Sequence, residues 1–153
     1  MKNAKHVLFV CTGNSCRSIM AEAYLKKRAK EEGLSIEVMS AGTYGMEGMM
    51  LPQETVQILR KESIDPAGYG SKPITAKLIL WADIILVMEP AHRSRIIEKD
   101  AEAAGKTYLL GDFNKADGIL AIPDPIGRPL AFYRTSFNLI KRSIEGFMVW
   151  LKK

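Results

Sequence analysis

At 153 residues, with 47% apolar and 25% charged side chains, the chain has the composition of a globular protein, and we expect a single domain over residues 1–153. No apolar run approaches the roughly 20 residues that cross a bilayer, and the first residues carry no signal-peptide pattern. We therefore expect a cytoplasmic protein that does not bind membranes. The net charge of +5 comes from lysine and arginine interleaved with glutamate along helical stretches, which favours solvated helix faces over nucleic-acid binding.

Short β-type runs alternate with helical stretches along the chain. Four runs are predicted to be strands, at 5–10, 36–41, 83–88 and 107–110. Five stretches are predicted to be helices, at 18–32, 52–62, 75–81, 90–100 and 132–151. Pro52 is expected in the first turn of its helix, Thr75 as a cap, and residues 111–128 as a loop.

This alternation determines the predicted fold class. Strands that alternate with helices form right-handed βαβ units, so we predict a three-layer α/β fold with a central parallel sheet of about four strands. The last helix is amphipathic and is predicted to cover one face of the sheet. Ligands of such sheets bind beyond the carboxyl ends of the strands, where the segment after the first strand lies.

That segment has the composition of an oxyanion site. Cys11 and Arg17 stand six positions apart where a strand gives way to a helix. Unpaired N–H groups and the helix dipole favour negative charge there, and the same field favours the thiolate form of a cysteine. Arginine adds a permanently charged fork that suits phosphate oxygens. A nucleophile in an anion cradle indicates phosphoryl transfer through a cysteinyl-phosphate, and the loop lacks the glycine patterns of nucleotide-binding loops.

The same residues carry a family resemblance. Residues 10–18 (VCTGNSCRS) resemble the V-C-x-G-N-x-C-R-S loop of the low-molecular-weight protein tyrosine phosphatases. Ser40-Ala41-Gly42, Asp124-Pro125 and the closing helix agree in order, so that the resemblance covers essentially the whole chain. It implies the fold of phosphotyrosine protein phosphatase I and a metal-independent, cofactor-free phosphatase. Its partners would be phosphorylated proteins, with inorganic phosphate as product, and we expect a monomer or weak dimer.

The resemblance also implies roles for the loop residues. Cys11 would attack phosphorus, and Arg17 would hold the phosphate oxygens. Further phosphate contacts would come from the loop, at Thr12, Gly13, Asn14, Ser15, Cys16 and Ser18. Asn14 suits a left-handed backbone conformation and would support the loop through a hydrogen bond to Ser40. Ser18 would donate to the thiolate, the alternative being an ordinary serine at a helix start.

Asp124 is the candidate general acid and base. It would protonate the leaving group and then deprotonate water. Without the cysteine loop, an aspartate before Pro125 would be interpreted as a turn residue. Asp112 and Asp117 are the fallback candidates in the same region.

Cys16 and His92 each allow two interpretations. Cys16 is either a redox partner that forms a disulfide with an oxidised Cys11, as proposed for family members, or a packed thiol. His92 either lies on the rim of the site or, as we expect, on the surface. With two cysteines and two histidines in an unsuitable spacing, we expect no metal site.

Two phosphorylated side chains, phosphotyrosine and phosphoarginine, are the candidate substrates. Phosphotyrosine is the first expectation, although Ile126-Gly127-Arg128 stands where phosphotyrosine-specific members carry an aromatic pair. Tyr44 is either an aromatic wall or an exposed loop residue. Ser15 resembles the small hydroxyl residue of the bacterial phosphoarginine phosphatases, which makes phosphoarginine the alternative. A phosphate-binding module or phosphocysteine carrier without turnover is a third possibility. An arsenate reductase is disfavoured, because its relay needs further cysteines.

Overall fold

The central sheet follows from the alternation of strands and helices. The structure, a computed structural model, describes residues 2–153. Its strands are β1 (His6–Cys11), β2 (Glu37–Gly42), β3 (Ile84–Val87) and β4 (Thr107–Leu109). They form one parallel sheet in the order β2-β1-β3-β4. The predicted α/β fold with a four-stranded parallel sheet is confirmed.

Five α-helices flank the sheet. They are α1 (Arg17–Glu32), α2 (Gln53–Lys61), α3 (Ala76–Trp81), α4 (Pro90–Lys99) and α5 (Leu130–Lys152). The Thr75 side chain caps α3, as predicted, but Pro52 precedes α2 because its ψ of 149° is not helical. Short 3₁₀ turns at 101–106 and 110–113 escaped the sequence analysis, since they are too short for a periodic pattern. No helix within residues 2–153 combines the length and apolarity needed to cross a membrane.

The two faces of β1 belong to different halves of the core. Val7, Phe9 and Cys11 pack in the cluster formed with α1 and α5. Leu8 and Val10 pack in the cluster formed with α3 and α4. This alternation is the two-residue period of a strand buried on both faces. It places Cys11 at the end of a central strand, on the face that α1 covers.

The strand order makes the carboxyl end of β1 a ligand-binding position. From β1 the chain crosses to β2 on one side, while β3 lies on the other side, and open α/β sheets bind ligands at such a switch point. The loop there packs tightly against the end of β2. A Cβ atom at Gly42 would lie 2.5 Å from the Thr12 carbonyl oxygen, so this close approach requires glycine.

Candidate active site

A small pocket opens over the loop that joins β1 to α1. Its volume is about 160 Å³. It is lined from this loop and from the loop before α5, by Cys11, Thr12, Gly13, Ser15, Cys16, Arg17, Asp124 and Ile126. The backbone N–H groups of Ser15, Cys16 and Arg17 donate to no acceptor within residues 2–153. Unpaired donors at the start of a helix are the arrangement that binds oxyanions.

The Cys11 thiol lies at the floor of this pocket. Cys11 is 3% exposed, and its Sγ atom lies 2.8 Å from Ser18 Oγ. The backbone N–H of Asn14 donates to the same sulfur at 3.3 Å. Ser18 Oγ already accepts a hydrogen bond from Asn14 Nδ2 at 2.7 Å, so its own proton is available to the sulfur. Within residues 2–153, two hydrogen-bond donors therefore face the Cys11 sulfur.

Asn14 ties the loop to the rest of the molecule. Its φ of 53° is left-handed, which asparagine tolerates better than most residues. Nδ2 donates to Ser40 Oγ at 2.9 Å, and Oδ1 accepts from the Lys72 backbone N–H at 3.0 Å. Ser40 in turn donates to the buried carboxylate of Glu22. The loop shape is thus held by side-chain contacts that reach β2, α1 and the segment before α3.

Arg17 is buried, and its guanidinium is held by several partners. The side chain is 1% exposed. Nη1 donates to the Glu89 carboxylate and, at 2.8 Å, to the Ile122 carbonyl oxygen. Nη2 lies 3.5 Å from Asp124 Oδ2 and 3.5 Å from Thr12 Oγ1. A buried guanidinium is tolerated only when it is paired, and these partners hold its fork beside the pocket.

Asp124 lies in a turn and also lines the pocket. Its side chain is 39% exposed at the mouth of the pocket. Oδ1 accepts a hydrogen bond from the Ile126 backbone N–H at 3.1 Å, which is a turn contact, and Gly127 follows with φ 75°. Oδ2 faces Arg17. The turn and the pocket therefore use different oxygens of one carboxylate.

The two fallback aspartates lie outside the lining of the pocket. Asp117 accepts hydrogen bonds from Arg142 Nε at 2.7 Å and from Asn114. The pairing with Arg142 holds the pKa of Asp117 below its usual range. Neither Asp117 nor Asp112 is in position to protonate a leaving group in this pocket.

The predicted surface location of His92 is wrong. His92 is 3% exposed and lies in the first turn of α4. Nδ1 accepts from the Glu89 backbone N–H at 3.1 Å, and Nε2 lies 2.9 Å from Thr12 Oγ1. Burial and, secondly, the charge of Arg17 lower the pKa of His92 to about 4. The histidine is buried because β3 runs beside β1, which brings the first turn of α4 against the loop after β1.

Both cysteines are free thiols. Cys16 lines the pocket, lies 3.6 Å from Ser15 Oγ and donates from Sγ to Tyr133 Oη at 3.7 Å. Burial is the main cause that raises the pKa of Cys16, which keeps this second sulfur protonated at neutral pH. The contacts are those of a packed thiol, while the redox role stays a prediction.

No aromatic side chain from residues 2–153 lines the pocket. Tyr44 is 65% exposed and outside the lining, with its ring 4.9 Å from the Arg95 guanidinium. The apolar side chain at the mouth is Ile126, which is 52% exposed. The interpretation of Tyr44 as an exposed loop residue fits its position.

Two partners of Arg17, Glu89 and Ile122, are not predicted from the sequence. Glu89 lies two positions after the last residue of β3, so it stands at the same sheet edge as Cys11. The available signal was an acidic residue immediately after the strand predicted at 83–88. Ile122 contributes only its backbone carbonyl oxygen, which no pattern of residue types identifies.

Comparison with known proteins extends these observations. A family model described as low molecular weight phosphotyrosine protein phosphatase matches residues 6–153. A protein-arginine-phosphatase of Geobacillus stearothermophilus is 35% identical over 140 residues, which cover 91% of this chain and 90% of the relative. A putative low molecular weight protein-tyrosine-phosphatase of Klebsiella pneumoniae is 35% identical over 147 residues, which cover 96% of this chain and 95% of the relative.

The likeness extends to solved structures. A mutant of YwlE from Bacillus subtilis superposes with a TM-score of 0.90 at 29% identity, over 97% of this chain and 99% of that one. A low molecular weight protein tyrosine phosphatase from T. tengcongensis gives a TM-score of 0.89 at 32% identity, over 96% and 99% of the two chains. The range that the family model matches includes both loops that line the pocket.

Proposed function

Because the chain belongs to the low-molecular-weight phosphotyrosine protein phosphatase family of cysteine-dependent hydrolases, we propose that it dephosphorylates proteins with Cys11, Arg17 and Asp124 as its catalytic residues. One observation carries this assignment. A single pocket of about 160 Å³ is lined by the cysteine, the arginine and the aspartate, with unpaired backbone donors between them. A nucleophile, an anion clamp and an acid would therefore meet around one small pocket.

In the first step, the Cys11 thiolate attacks phosphorus. The P–S bond forms while the bond from phosphorus to the leaving group breaks, which is P–O in phosphotyrosine and P–N in phosphoarginine. The protonated Asp124 gives its proton to the departing oxygen or nitrogen. The negative charge of a bound phosphoryl group favours the protonated form of a neighbouring carboxyl group. Arg17 and the unpaired N–H groups of Ser15 and Cys16 bind the non-bridging oxygens, which carry the charge of the transition state.

In the second step, a water molecule attacks the cysteinyl-phosphate. Asp124, now a carboxylate, takes a proton from this water as the new P–O bond forms. The P–S bond breaks, and inorganic phosphate leaves. Ser18 stabilises the Cys11 thiolate as it is released, since its proton faces the sulfur at an Oγ–Sγ distance of 2.8 Å.

Turnover of p-nitrophenyl phosphate in EDTA tests this mechanism. The wild-type protein is expected to turn over under these conditions, and Cys11→Ser to lower kcat by about 10⁵-fold while inorganic phosphate still binds. A phosphocysteine carrier or phosphate-binding module would bind phosphate without turnover. A wild-type protein that binds phosphate and shows no turnover would therefore contradict the enzyme assignment.

Phosphotyrosine is the first substrate candidate. Cys11 is 3% exposed at the floor of the pocket, which favours long phosphorylated side chains over phosphoserine. Ile126, half exposed at the mouth, offers an apolar contact to a phenyl ring. The Klebsiella pneumoniae relative, named a putative protein-tyrosine-phosphatase, supports this choice.

Phosphoarginine is the second candidate, and Ser15 is the observation that favours it. Ser15 belongs to the lining of the pocket, and its hydroxyl lies 3.6 Å from Cys16 Sγ. A hydroxyl can both donate to and accept from the polar phosphoguanidinium group. An apolar branched side chain at this position would instead favour an aryl ring. The relative from Geobacillus stearothermophilus, named a protein-arginine-phosphatase, is in keeping with this alternative.

Matched phosphotyrosine and phosphoarginine peptides separate the two candidates. The kcat/KM ratio of the two peptides is measured for the wild type, for Ser15→Ile and for Ser15→Thr, which keeps the hydroxyl. We expect Ser15→Ile to shift the ratio towards phosphotyrosine by about tenfold, the equivalent of one hydrogen bond, and Ser15→Thr to leave it within about twofold. An unchanged ratio in Ser15→Ile would exclude Ser15 as the selecting residue.

We extend the proposal to the setting in which the enzyme works. Cys11 must be reduced to act, which favours the cytoplasm, and residues 1–153 would act as one domain in a monomer or weak dimer without a cofactor.

A Cys11–Cys16 disulfide would protect the nucleophile reversibly. Mass spectrometry of the peroxide-treated protein tests it, and a mass two hydrogens lower that dithiothreitol reverses is the expected result.

A further inference from the structure

The hydrogen bond between His92 and Thr12 has a direction that the surrounding groups determine. His92 Nδ1 accepts from the Glu89 backbone N–H at 3.1 Å, so the proton of a neutral ring lies on Nε2. Nε2 lies 2.9 Å from Thr12 Oγ1. The histidine is therefore the donor, and the hydroxyl oxygen of Thr12 is the acceptor.

The surroundings of His92 keep the ring neutral. Burial and the nearby charge of Arg17 lower its pKa to about 4, although the carboxylates of Glu89 and Asp124 act in the opposite direction. At neutral pH, one ring nitrogen accepts and the other donates, which is the pattern that the two contacts require.

The second partner of the Thr12 hydroxyl is also a donor. Arg17 Nη2 donates to Thr12 Oγ1 at 3.5 Å, and a guanidinium group has no acceptor. A hydroxyl oxygen has two acceptor sites, and His92 and Arg17 use both. No acceptor within residues 2–153 takes the proton of the Thr12 hydroxyl. Because Thr12 lines the pocket, this proton is available to an acceptor inside it.

We propose that the Thr12 hydroxyl donates a hydrogen bond to an oxygen of the bound phosphoryl group, and that His92 is the residue that positions it. The inference rests on the proposed function and assigns to the loop a side-chain donor in addition to its backbone N–H groups. Thr12 is thereby a catalytic residue, whereas His92 acts through Thr12. The donor is oriented before substrate arrives, so it needs no rearrangement in the transition state.

Three Thr12 variants test the donor. Thr12→Val keeps the shape and removes the hydroxyl, Thr12→Ser keeps the hydroxyl, and Thr12→Ala repeats the test without a branched side chain. With p-nitrophenyl phosphate as substrate, we expect Thr12→Val and Thr12→Ala to lower kcat/KM about tenfold. The dissociation constant of inorganic phosphate, measured by isothermal titration calorimetry, should rise similarly. Thr12→Ser should stay within about twofold of the wild type. Wild-type values in Thr12→Val or Thr12→Ala, or a full loss in Thr12→Ser, would overturn the proposal.

A double-mutant cycle tests the positioning role of His92. His92→Leu removes the donor, and His92→Gln retains an N–H group at a similar reach. We expect His92→Leu to lower kcat/KM several-fold in the wild-type background but to have little further effect in Thr12→Val, since its action passes through the hydroxyl. His92→Gln should recover part of the loss. Additive losses in the double variant would assign His92 a merely structural role and overturn this part of the inference.

The two proposals fail in different ways. If the proposed phosphatase function is wrong, the wild type shows no turnover, and the affinities of the Thr12 variants for inorganic phosphate still report on the donor. If the inference about Thr12 is wrong, the wild type turns over normally and Thr12→Val and Thr12→Ala match it in both measurements.

Discussion

The floor and the mouth of the pocket are built in opposite ways. The floor is formed by Cys11 and Arg17 and is supported from behind by the side chains of Asn14, Ser18 and Ser40. All five residues are at most 3% exposed. Each of them is hydrogen-bonded to a partner. At the mouth, by contrast, Asp124 has a 39% exposed side chain and Ile126 is 52% exposed.

This difference separates binding of phosphate from selection of the side chain that carries it. Donors held in a buried network are oriented before a phosphoryl group arrives, so the floor suits any phosphoryl group that reaches it. The leaving group lies at the mouth, where side chains are few and exposed. Changes at the floor should therefore affect all substrates equally, and changes at the mouth should depend on the leaving group.

Asp124→Asn should have the largest effect and the clearest dependence on the leaving group. We expect kcat to fall about 10²- to 10³-fold for phenyl phosphate and less for p-nitrophenyl phosphate, whose leaving group needs less protonation. Steady-state kinetics over a series of aryl phosphates measures this. Asp117→Asn, in the same loop region but outside the pocket, is the control and should stay within about twofold. An equal loss on all leaving groups would count against Asp124 as the acid.

Asn14→Ala should disrupt the floor itself. It removes the side-chain hydrogen bonds to Ser18, Ser40 and the Lys72 backbone and puts alanine at a φ of 53°. We expect the free energy of unfolding in urea to fall by about 3 kcal/mol, with equal losses of kcat/KM on phosphotyrosine and phosphoarginine peptides. Asn14→Gly loses the same contacts without backbone strain and should be about 1 kcal/mol more stable than Asn14→Ala. Equal free energies of unfolding for Asn14→Ala and Asn14→Gly would show that backbone strain at position 14 does not contribute to the loss.

The buried His92 should make the stability of the protein depend on pH. Its pKa is about 4 in the folded protein and about 6.5 when unfolded, so the unfolded state takes up the proton first as the pH falls. The free energy of unfolding therefore keeps its full value above about pH 6.5. It falls as the pH is lowered to 4, by a total on the order of 2–3 kcal/mol. Urea unfolding at pH 7 and pH 4.5 measures this, and His92→Gln should lose correspondingly less. Identical losses in both proteins would contradict a depressed pKa of His92.

Ile126→Ala should have the smallest effect and should be confined to the mouth. We expect kcat/KM for a phosphotyrosine peptide to fall about two- to fourfold, since part of an exposed apolar contact is lost. The free energy of unfolding should change by less than about 0.5 kcal/mol. Leu120→Ala is the matched control, because Leu120 is exposed but lies outside the pocket lining. An equal loss in both variants would argue against contact between Ile126 and substrate.

Most of the fold was predictable because its signals are local. The strand β3 is a continuous apolar run that is buried on both faces, and α5 repeats its apolar residues every three or four positions. Pro52 was misplaced by one position, because proline fits both the helix start and the residue before it. The 3₁₀ turns are not predicted, because segments of four to six residues are too short to show a periodic pattern of apolar residues.

The contacts of the site were less predictable than its residues. Arg17 and Glu89 are 72 positions apart, and Thr12 and His92 are 80 apart. These pairs meet because β3 pairs with β1, and no motif in either segment refers to the other. For the same reason, a histidine at the start of a helix was interpreted as exposed, although it is buried.

The sequence by itself determined the cysteine loop and the fold class. A strand, the cysteine loop and a helix follow one another within residues 6–32, so the chemistry of this segment can be inferred from neighbouring residues. Only the tertiary structure decided which partners hold Arg17, that His92 is neutral and donates to Thr12, and which oxygen of Asp124 faces the pocket. Strand order brings distant parts of the chain within hydrogen-bonding distance. Burial then favours the neutral form of His92.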